Sequence, residues 1–414
     1  MIIKKNYSSI RIIRYALLDQ IVFSGFNFFL GVLIVRFSGL EIFGKFSFFW
    51  LVYLFVFTIQ NSLILTPLIS KYYFISPKNK NNYVSSIFLV QIIFCILSTL
   101  TLIFFFNQTF FFKNYLIDIN FLNHFILMTL FSQFYHFNRK LLYCEKRYKK
   151  IFFVDLFIYT LSLFILIFIY LNYELNLNYI FLTLTLIYFL GFISNLKFYL
   201  KINFYPKMFY KIFKQNYNLG KWLVITSIGQ WFTNNLWILN TGIILGNSSL
   251  GVIRMCQSII QSLNIFYQVL ENIMPEKIST KIKSGDKKLP LFIYNFIKSN
   301  LKYILFLTIF IIFFSKIILD ILYGLQMSSY NIYLIIMSLA IPFIFARYPI
   351  NLSLKSLDKT KYIFISNLIP ILFTIISSKY LIEKFSIYGS SFGILFTQIF
   401  ITIIMMVFFN KLYR

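Results

Sequence analysis

Along this chain, runs of about twenty apolar residues alternate with short polar breaks. That period is far longer than the two-residue alternation of a half-buried strand or the three-to-four-residue stripe of a soluble amphipathic helix. At roughly 20 residues per crossing, each run can span a bilayer as a helix. The breaks predict twelve spans: Tyr15–Phe37, Phe46–Ile69, Val84–Phe106, Phe121–Phe137, Ile151–Leu171, Tyr179–Leu196, Trp222–Leu245, Val252–Met274, Leu301–Leu322, Tyr330–Leu354, Tyr362–Tyr380 and Ile387–Phe409. A long inner connection, Lys197–Lys221, lies at the midpoint with six spans on either side. The expected organisation is an N-terminal six-helix bundle over 1–200, a cytoplasmic basic linker over 201–221 and a second six-helix bundle over 222–414. Sliding the chain by half of its 414 residues places Asn27 on Asn234, Gly39 on Gly246 and Gly44 on Gly251. The fold class predicted is therefore an all-α integral membrane protein, with 12 transmembrane helices in two six-helix bundles related by a parallel pseudo-two-fold repeat.

Composition sharpens this picture. The chain is 59% hydrophobic and only 12% charged, with a mean hydropathy of +0.77, which excludes a water-soluble domain. A net charge of +27 would ordinarily raise nucleic acid as a partner. Here, however, the cations sit between apolar runs, where the retention of Lys and Arg in cytoplasmic loops accounts for them. With the N-terminus inside, the outer side keeps only Arg36, Lys45, Lys113, Arg254, Lys316, Lys379 and Lys384. Both termini are thus expected in the cytoplasm and no nucleic-acid partner is implied. Lys4, Lys5, Arg11 and Arg14 before the first run resemble a signal peptide's charged start, but no small-residue cleavage site follows, so this reads as an uncleaved first span. Lys207, Lys211 and Lys214 recur at helical spacing, a stripe suited either to an anionic leaflet or to a solvated loop.

Chemistry is sparse. Cys95, Cys144 and Cys256 are isolated, and His124 and His136 are about 18 Å apart along one helix, too far to share a metal. No metal cluster, nucleophile with its base, or phosphate loop is visible, so no enzyme activity, metal or cofactor is expected. Outer connections are too short for a catalytic domain.

What remains is the polar content of the spans, since such residues in hydrocarbon usually turn toward a bundle interior or a water-filled cavity. Asp19, Gln20 and Asn27 lie in the first span, Gln60 and Asn61 in the second, Asp155 in the fifth, and Asn234 and Asn235 in the seventh. The eighth span is the richest: Arg254, Gln257, Gln261, Asn264, Gln268 and Glu271 step by three and four, onto one helix face. Such a stripe walls a cavity or bonds the helix to its neighbours. Arg347 in the tenth span is either a cavity cation or a residue snorkelling to the inner interface. The acids Asp19, Asp155 and Glu271 are scattered in sequence, so a coupling ion, H+ or Na+, is left open.

The run from Arg36 to Gly44, after Ser24-Gly25-Phe26-Asn27-Phe28, resembles the first hairpin of bacterial polysaccharide flippases of O-antigen type. These belong to the multidrug/oligosaccharidyl-lipid/polysaccharide exporter superfamily. Gly251 to Pro275 is similar to the Gly, Arg, Gln, Asn and Leu-Glu-Asn-x-x-Pro pattern of their eighth helix, and Arg347 to Thr360 resembles their tenth-to-eleventh connection. The resemblance implies a bacterial inner-membrane transporter that moves an isoprenoid pyrophosphate-linked oligosaccharide outward by alternating access. Its partners would be that lipid-linked substrate, membrane lipids and other polysaccharide assembly proteins. Arg254 or Arg347 could pair with the pyrophosphate, and the amides with the sugars. An exporter of small amphiphilic drugs shares the fold, a membrane polysaccharide polymerase shares the hydropathy, and a scaffold role for other membrane enzymes stays open.

Overall fold

The computed structural model describes residues 2–73, 75–108, 119–195, 206–263, 266–267, 274, 278, 281, 289–357 and 359–412. Those residues are helical almost throughout, with no strand among them. In chain order they form α1 (Ile2–Gln60), a π turn (Asn61–Leu65), α2 (Thr66–Tyr72), α3 (Lys80–Gln108), α4 (Ile119–Cys144), α5 (Tyr148–Asn172) and α6 (Leu177–Ile193). They continue with α7 (Pro206–Leu245), α8 (Asn247–Ser262), α9 (Leu289–Phe313), α10 (Ser315–Tyr323), α11 (Asn331–Ser338), α12 (Ile341–Ser356) and α13 (Thr360–Lys411).

Six described segments are long and apolar enough to cross a membrane: Leu17–Tyr72, Pro77–Phe106, Tyr148–Asn172, Leu289–Phe313, Leu325–Ser356 and Lys361–Lys411. Two of them fold back on themselves. Within α1, Gly39 leaves the helical region at φ 79, ψ 176, and a Cβ on Gly31 would sit 3.5 Å from the Phe43 ring. Twelve residues along one straight helix would be about 18 Å apart, so α1 is a hairpin with its corner at Gly39. In α13 the corner is Ser386, at φ 53, ψ −136, and a methyl on Gly389 would overlap the Leu381 carbonyl. The predicted spans over 121–137 and 222–245 fall on α4 and α7, and residues 252–262 of that over 252–274 fall on α8; the amides, hydroxyls and charges of these helices lower their apolar content. That over 179–196 falls on α6, which is apolar but only 17 residues long.

The chain divides into two compact units: Met1–Asn27 with Phe49–Ile228, and Phe28–Phe48 with Gly229–Arg414. In the first, α6 packs tightly along α4: a methyl on Gly191 would overlap the Tyr135 ring, and Thr185 Oγ1 donates to the His124 carbonyl at 2.8 Å. Phe49, Phe125 and Phe181 meet edge to face at 5.2 to 6.0 Å between centroids. The segment 206–221, expected within a linker, is helical and continuous with the rest of α7, because Pro206 suits a first helical turn and no Gly or Pro other than Gly220 interrupts the run. In the second unit the buried Trp237 lies against Gly393 and donates to Thr397 Oγ1 at 2.9 Å, joining α7 to α13.

The second unit also holds two matching corners. Gly246, between α7 and α8, has φ 88, ψ 176, close to the conformation of Gly39, and L side chains rarely adopt it. A methyl on Gly44 would overlap the Asn247 carbonyl, and a methyl on Gly251 the Leu40 carbonyl. Only glycine permits that approach from either side.

The helices are inverted relative to those of a soluble protein. On α5, Asp155, Tyr159, Ser162 and Leu166 are buried, while Phe157, Phe164 and Phe168 are 62%, 71% and 65% exposed. Lipid is the solvent that makes this pattern favourable, since exposed rings cost nothing there and backbone and side-chain polar groups must be satisfied internally.

Candidate transport site

The densest polar constellation lies inside the first unit, and only part of it was anticipated. Asp19 and Phe23 stand one turn apart on α1; Tyr135, Arg139 and Tyr143 step by four along α4; Asp155 and Tyr159 do the same on α5. These three faces converge. Arg139 Nη2 donates to Asp19 Oδ2 at 2.6 Å, and its Nε lies 2.8 Å from Asp155 Oδ2. The guanidinium is centred 4.5 Å from the Phe23 ring. Tyr143 donates its hydroxyl to Asp19 Oδ2 and Tyr135 donates to Asp155 Oδ1. Tyr159 lies 3.3 Å from the Tyr135 hydroxyl and stacks on Phe26 at 4.4 Å. Asp19 is 0%, Asp155 1% and Arg139 7% exposed.

One guanidinium between two carboxylates leaves a formal charge of −1 if both acids are ionised. Asp19 Oδ1 is buried with no hydrogen-bond partner, so the Arg139 guanidinium is the main compensation for carboxylate charge in this low-dielectric interior. Sequence reading placed Arg139 in the inner connection and missed its role. α4 in fact continues to Cys144, which carries Arg139 into the bundle. The signal was present in the spacing of Tyr135, Arg139 and Tyr143, matched by that of Asp155 and Tyr159.

Gln60 is also buried in this unit. Its Nε2 donates to Gln91 Oε1 at 3.0 Å and to the Gln133 carbonyl at 2.7 Å, so it ties the end of α1 to α3 and α4. Gln20 is half-buried, and Asn27 donates back to the Phe23 carbonyl at 2.9 Å.

The amide-rich face lies in the second unit. Arg254 is half-buried and its Nη1 donates to Gln257 Oε1. Gln257 is nearly buried and Gln261, one turn on, is exposed. Ser258, on another side of α8, meets the Tyr323 hydroxyl at 2.7 Å and anchors the helix to α10. Asn264, Gln268 and Glu271 lie outside the described residues. On α7, Asn234 is exposed whereas its neighbour Asn235 is buried and bonds the Trp231 carbonyl at 2.8 Å. Arg347 is half-buried on α12, next to Tyr348, which stacks on Tyr267 at 4.9 Å. Among the described residues no group of three or more His, Cys, Asp or Glu could hold a metal.

Helices that expose phenylalanine, bury ion pairs and fold back at glycine corners define a multi-pass membrane protein, and its fold is that of known transporters. It is similar to a lipid II flippase MurJ in an inward closed conformation, at 16% identity and a TM-score of 0.67, over 96% of this chain and 87% of that one. An inward-facing multidrug resistance MATE family transporter of the MOP superfamily gives 12% identity and a TM-score of 0.77 over 95% and 94%. A MOP superfamily transporter from Pyrococcus furiosus gives 12% and 0.65 over 98% and 95%. No curated protein matches the chain. The chain belongs to the polysaccharide biosynthesis protein family, whose model matches residues 33–332. The resemblance read from the glycine hairpin and the eighth span is thereby borne out.

Proposed function

We propose that this protein flips an isoprenoid pyrophosphate-linked oligosaccharide from the inner to the outer leaflet of the bacterial cytoplasmic membrane, for surface polysaccharides of O-antigen type. It does so by alternating access, without a cofactor and without enzymatic chemistry. Twelve crossings form two six-helix bundles with both termini in the cytoplasm. The reciprocal approach of Gly44 and Gly251 supports the underlying pseudo-two-fold repeat. The observation that carries the reading is the face of α8, where Arg254 is half-buried, Gln257 nearly buried and Gln261 exposed. Lipid would leave Gln261, and Asn234 on α7, without partners; a hydrated route supplies them. Amides suit sugar hydroxyls, and Arg254 or Arg347 suits pyrophosphate. Outward movement of negative charge is favoured by an inside-negative potential, by about 2.3 kcal/mol per charge per 100 mV for full passage.

Replacing Gln257, Gln261 and Asn264 together by Leu removes the amides while keeping the helix apolar. Surface polysaccharide export should stop while membrane insertion persists. Normal export from a well-expressed triple variant would remove the site. The similarity to a multidrug transporter supports one other reading, export of small amphiphiles. Purified protein in liposomes separates the two: leaflet exchange of labelled sugar lipid is expected, and transport of a lipophilic cation in its place would establish the drug exporter.

A further inference from the structure

A second feature of the first unit lies where three apolar segments end together. Leu17–Tyr72 stops at Tyr72, Pro77–Phe106 starts just before Lys80, and Tyr148–Asn172 starts just after Arg147. Tyr72, Tyr73, Lys80, Cys144, Glu145, Lys146 and Arg147 line a cavity of about 430 Å³ at that level. Lys80 Nζ stands 4.5 Å from the centre of the Tyr72 ring, and Lys146 Nζ 6.0 Å from that of Tyr73. Arg147 is matched by Glu145 at 3.1 Å, so the remaining charge of the cavity is that of the two lysines. The helix ends add to it. Neither α3 nor α5 has an acidic residue in its first turn, and the caps of α5 include no side-chain bond, so the positive ends of both helix dipoles stay uncompensated beside Lys80 and Arg147. Cations and donors concentrated at the boundary of apolar spans, between two tyrosines, call for an anion that itself resides at that depth.

We propose that this cavity binds the phosphate of an anionic phospholipid headgroup from the surrounding leaflet. The volume exceeds what an inorganic phosphate ion fills and leaves room for a glycerol moiety, and tyrosine is a residue of the headgroup interface. Lys80 and Lys146 pair with the phosphodiester, and the rings of Tyr72 and Tyr73 flank its glycerol.

The test is native mass spectrometry of the full chain in detergent micelles titrated with phosphatidylglycerol and, separately, phosphatidylcholine. The wild type should retain one phosphatidylglycerol in preference to phosphatidylcholine. Lys80→Gln with Lys146→Gln should weaken that binding about 25-fold, at about fivefold per cation. Lys146 is exposed and Lys80 half-buried, so the fold should tolerate both changes; retained unfolding temperature verifies it, and Lys146→Gln alone, with about a fivefold loss, serves if the double variant is unstable. Lys78→Gln with Lys149→Gln, cations outside the cavity, should leave retention near wild type. Equal loss in the two double variants would show diffuse surface charge and overturn the site. Displacement of the lipid by millimolar inorganic phosphate would overturn the assignment to a headgroup.

Discussion

Replacing Arg139 by Gln should damage the protein out of proportion to one side chain, and the structure says why. The guanidinium is the partner of both Asp19 and Asp155, at 2.6 and 2.8 Å. Glutamine keeps part of the hydrogen bonding but none of the charge, and leaves two carboxylates facing each other in a buried site. Breaking a buried ion pair from one side costs about 3–5 kcal/mol, equivalent to roughly two to four powers of ten in the folded-to-unfolded ratio. The buried thiols provide the assay, since Cys95 and Cys256 are shielded in the first and second units respectively. A thiol-reactive dye followed through a thermal ramp, in variants keeping one cysteine at a time, reports where unfolding begins. Arg139→Gln should lower the Cys95 midpoint more than the Cys256 midpoint. Neutralising the whole cluster, with Asp19→Asn and Asp155→Asn added, should recover most of the loss, because the uncompensated charge is then gone. An Arg139→Gln protein as stable as wild type, or a triple variant less stable than the single one, would refute the electrostatic reasoning. Export by the folded triple variant then reports whether the charges serve transport as well as folding.

The other expectations use the same reporters. Gly44→Ala and Gly251→Ala each drive a methyl into a backbone carbonyl and should cost about 1–3 kcal/mol, read at Cys256. Gly25→Ala, in the first unit and with no atom within 4 Å of the added methyl, should be neutral or gain up to about 1 kcal/mol, read at Cys95; equal midpoint shifts for all three, each at its own unit's thiol, would discount the close approach. Gln60→Leu removes the donor to Gln91 Oε1 and to the Gln133 backbone carbonyl and should cost about 1 kcal/mol. Because Gln91 Nε2 also donates to Cys95 Sγ at 3.1 Å, Cys95 should label faster in that variant, and unchanged labelling would argue against the amide network. At Arg254, Lys should retain part of the export and Gln should abolish it, measured as surface polysaccharide per inserted protein; equal export with both would show that the cation has no part in substrate binding.

Membrane class and the apolar segments were legible because they depend on local composition alone. The positions of Asp19, Gln60 and Asp155 inside helices were legible for the same reason, but their partners were not. Whether a buried acid meets Arg139 depends on three helices arriving at one level; the four-residue spacing of Tyr135, Arg139 and Tyr143 marks a shared face but not that arrival. Arg139 was also hidden by the logic that succeeded elsewhere: a cation near the end of an apolar run ordinarily counts toward a loop, and here the helix outlasts the apolar run by two turns. The face of α8 is the opposite case. Its residues share one helix, so periodicity alone sets them side by side, and the structure adds that exposure grows from Gln257 to Gln261.

The glycine corners were legible for a different reason. Gly39 and Gly246 each need a positive φ, and Gly44 and Gly251 each need the space of a missing Cβ. Two independent physical demands, five residues apart, leave a mark that survives when every apolar residue around it has drifted among Phe, Ile and Leu. The contacts also exchange when the chain is shifted by half its length: Gly44 with Asn247 becomes Gly251 with Leu40 read in reverse. Such reciprocity is what the proposed pseudo-two-fold repeat would produce. It makes the two substitutions a matched pair, because any loss at Gly44 that arises from this approach should appear at Gly251 with similar size, whereas an accidental close contact has no reason to be mirrored.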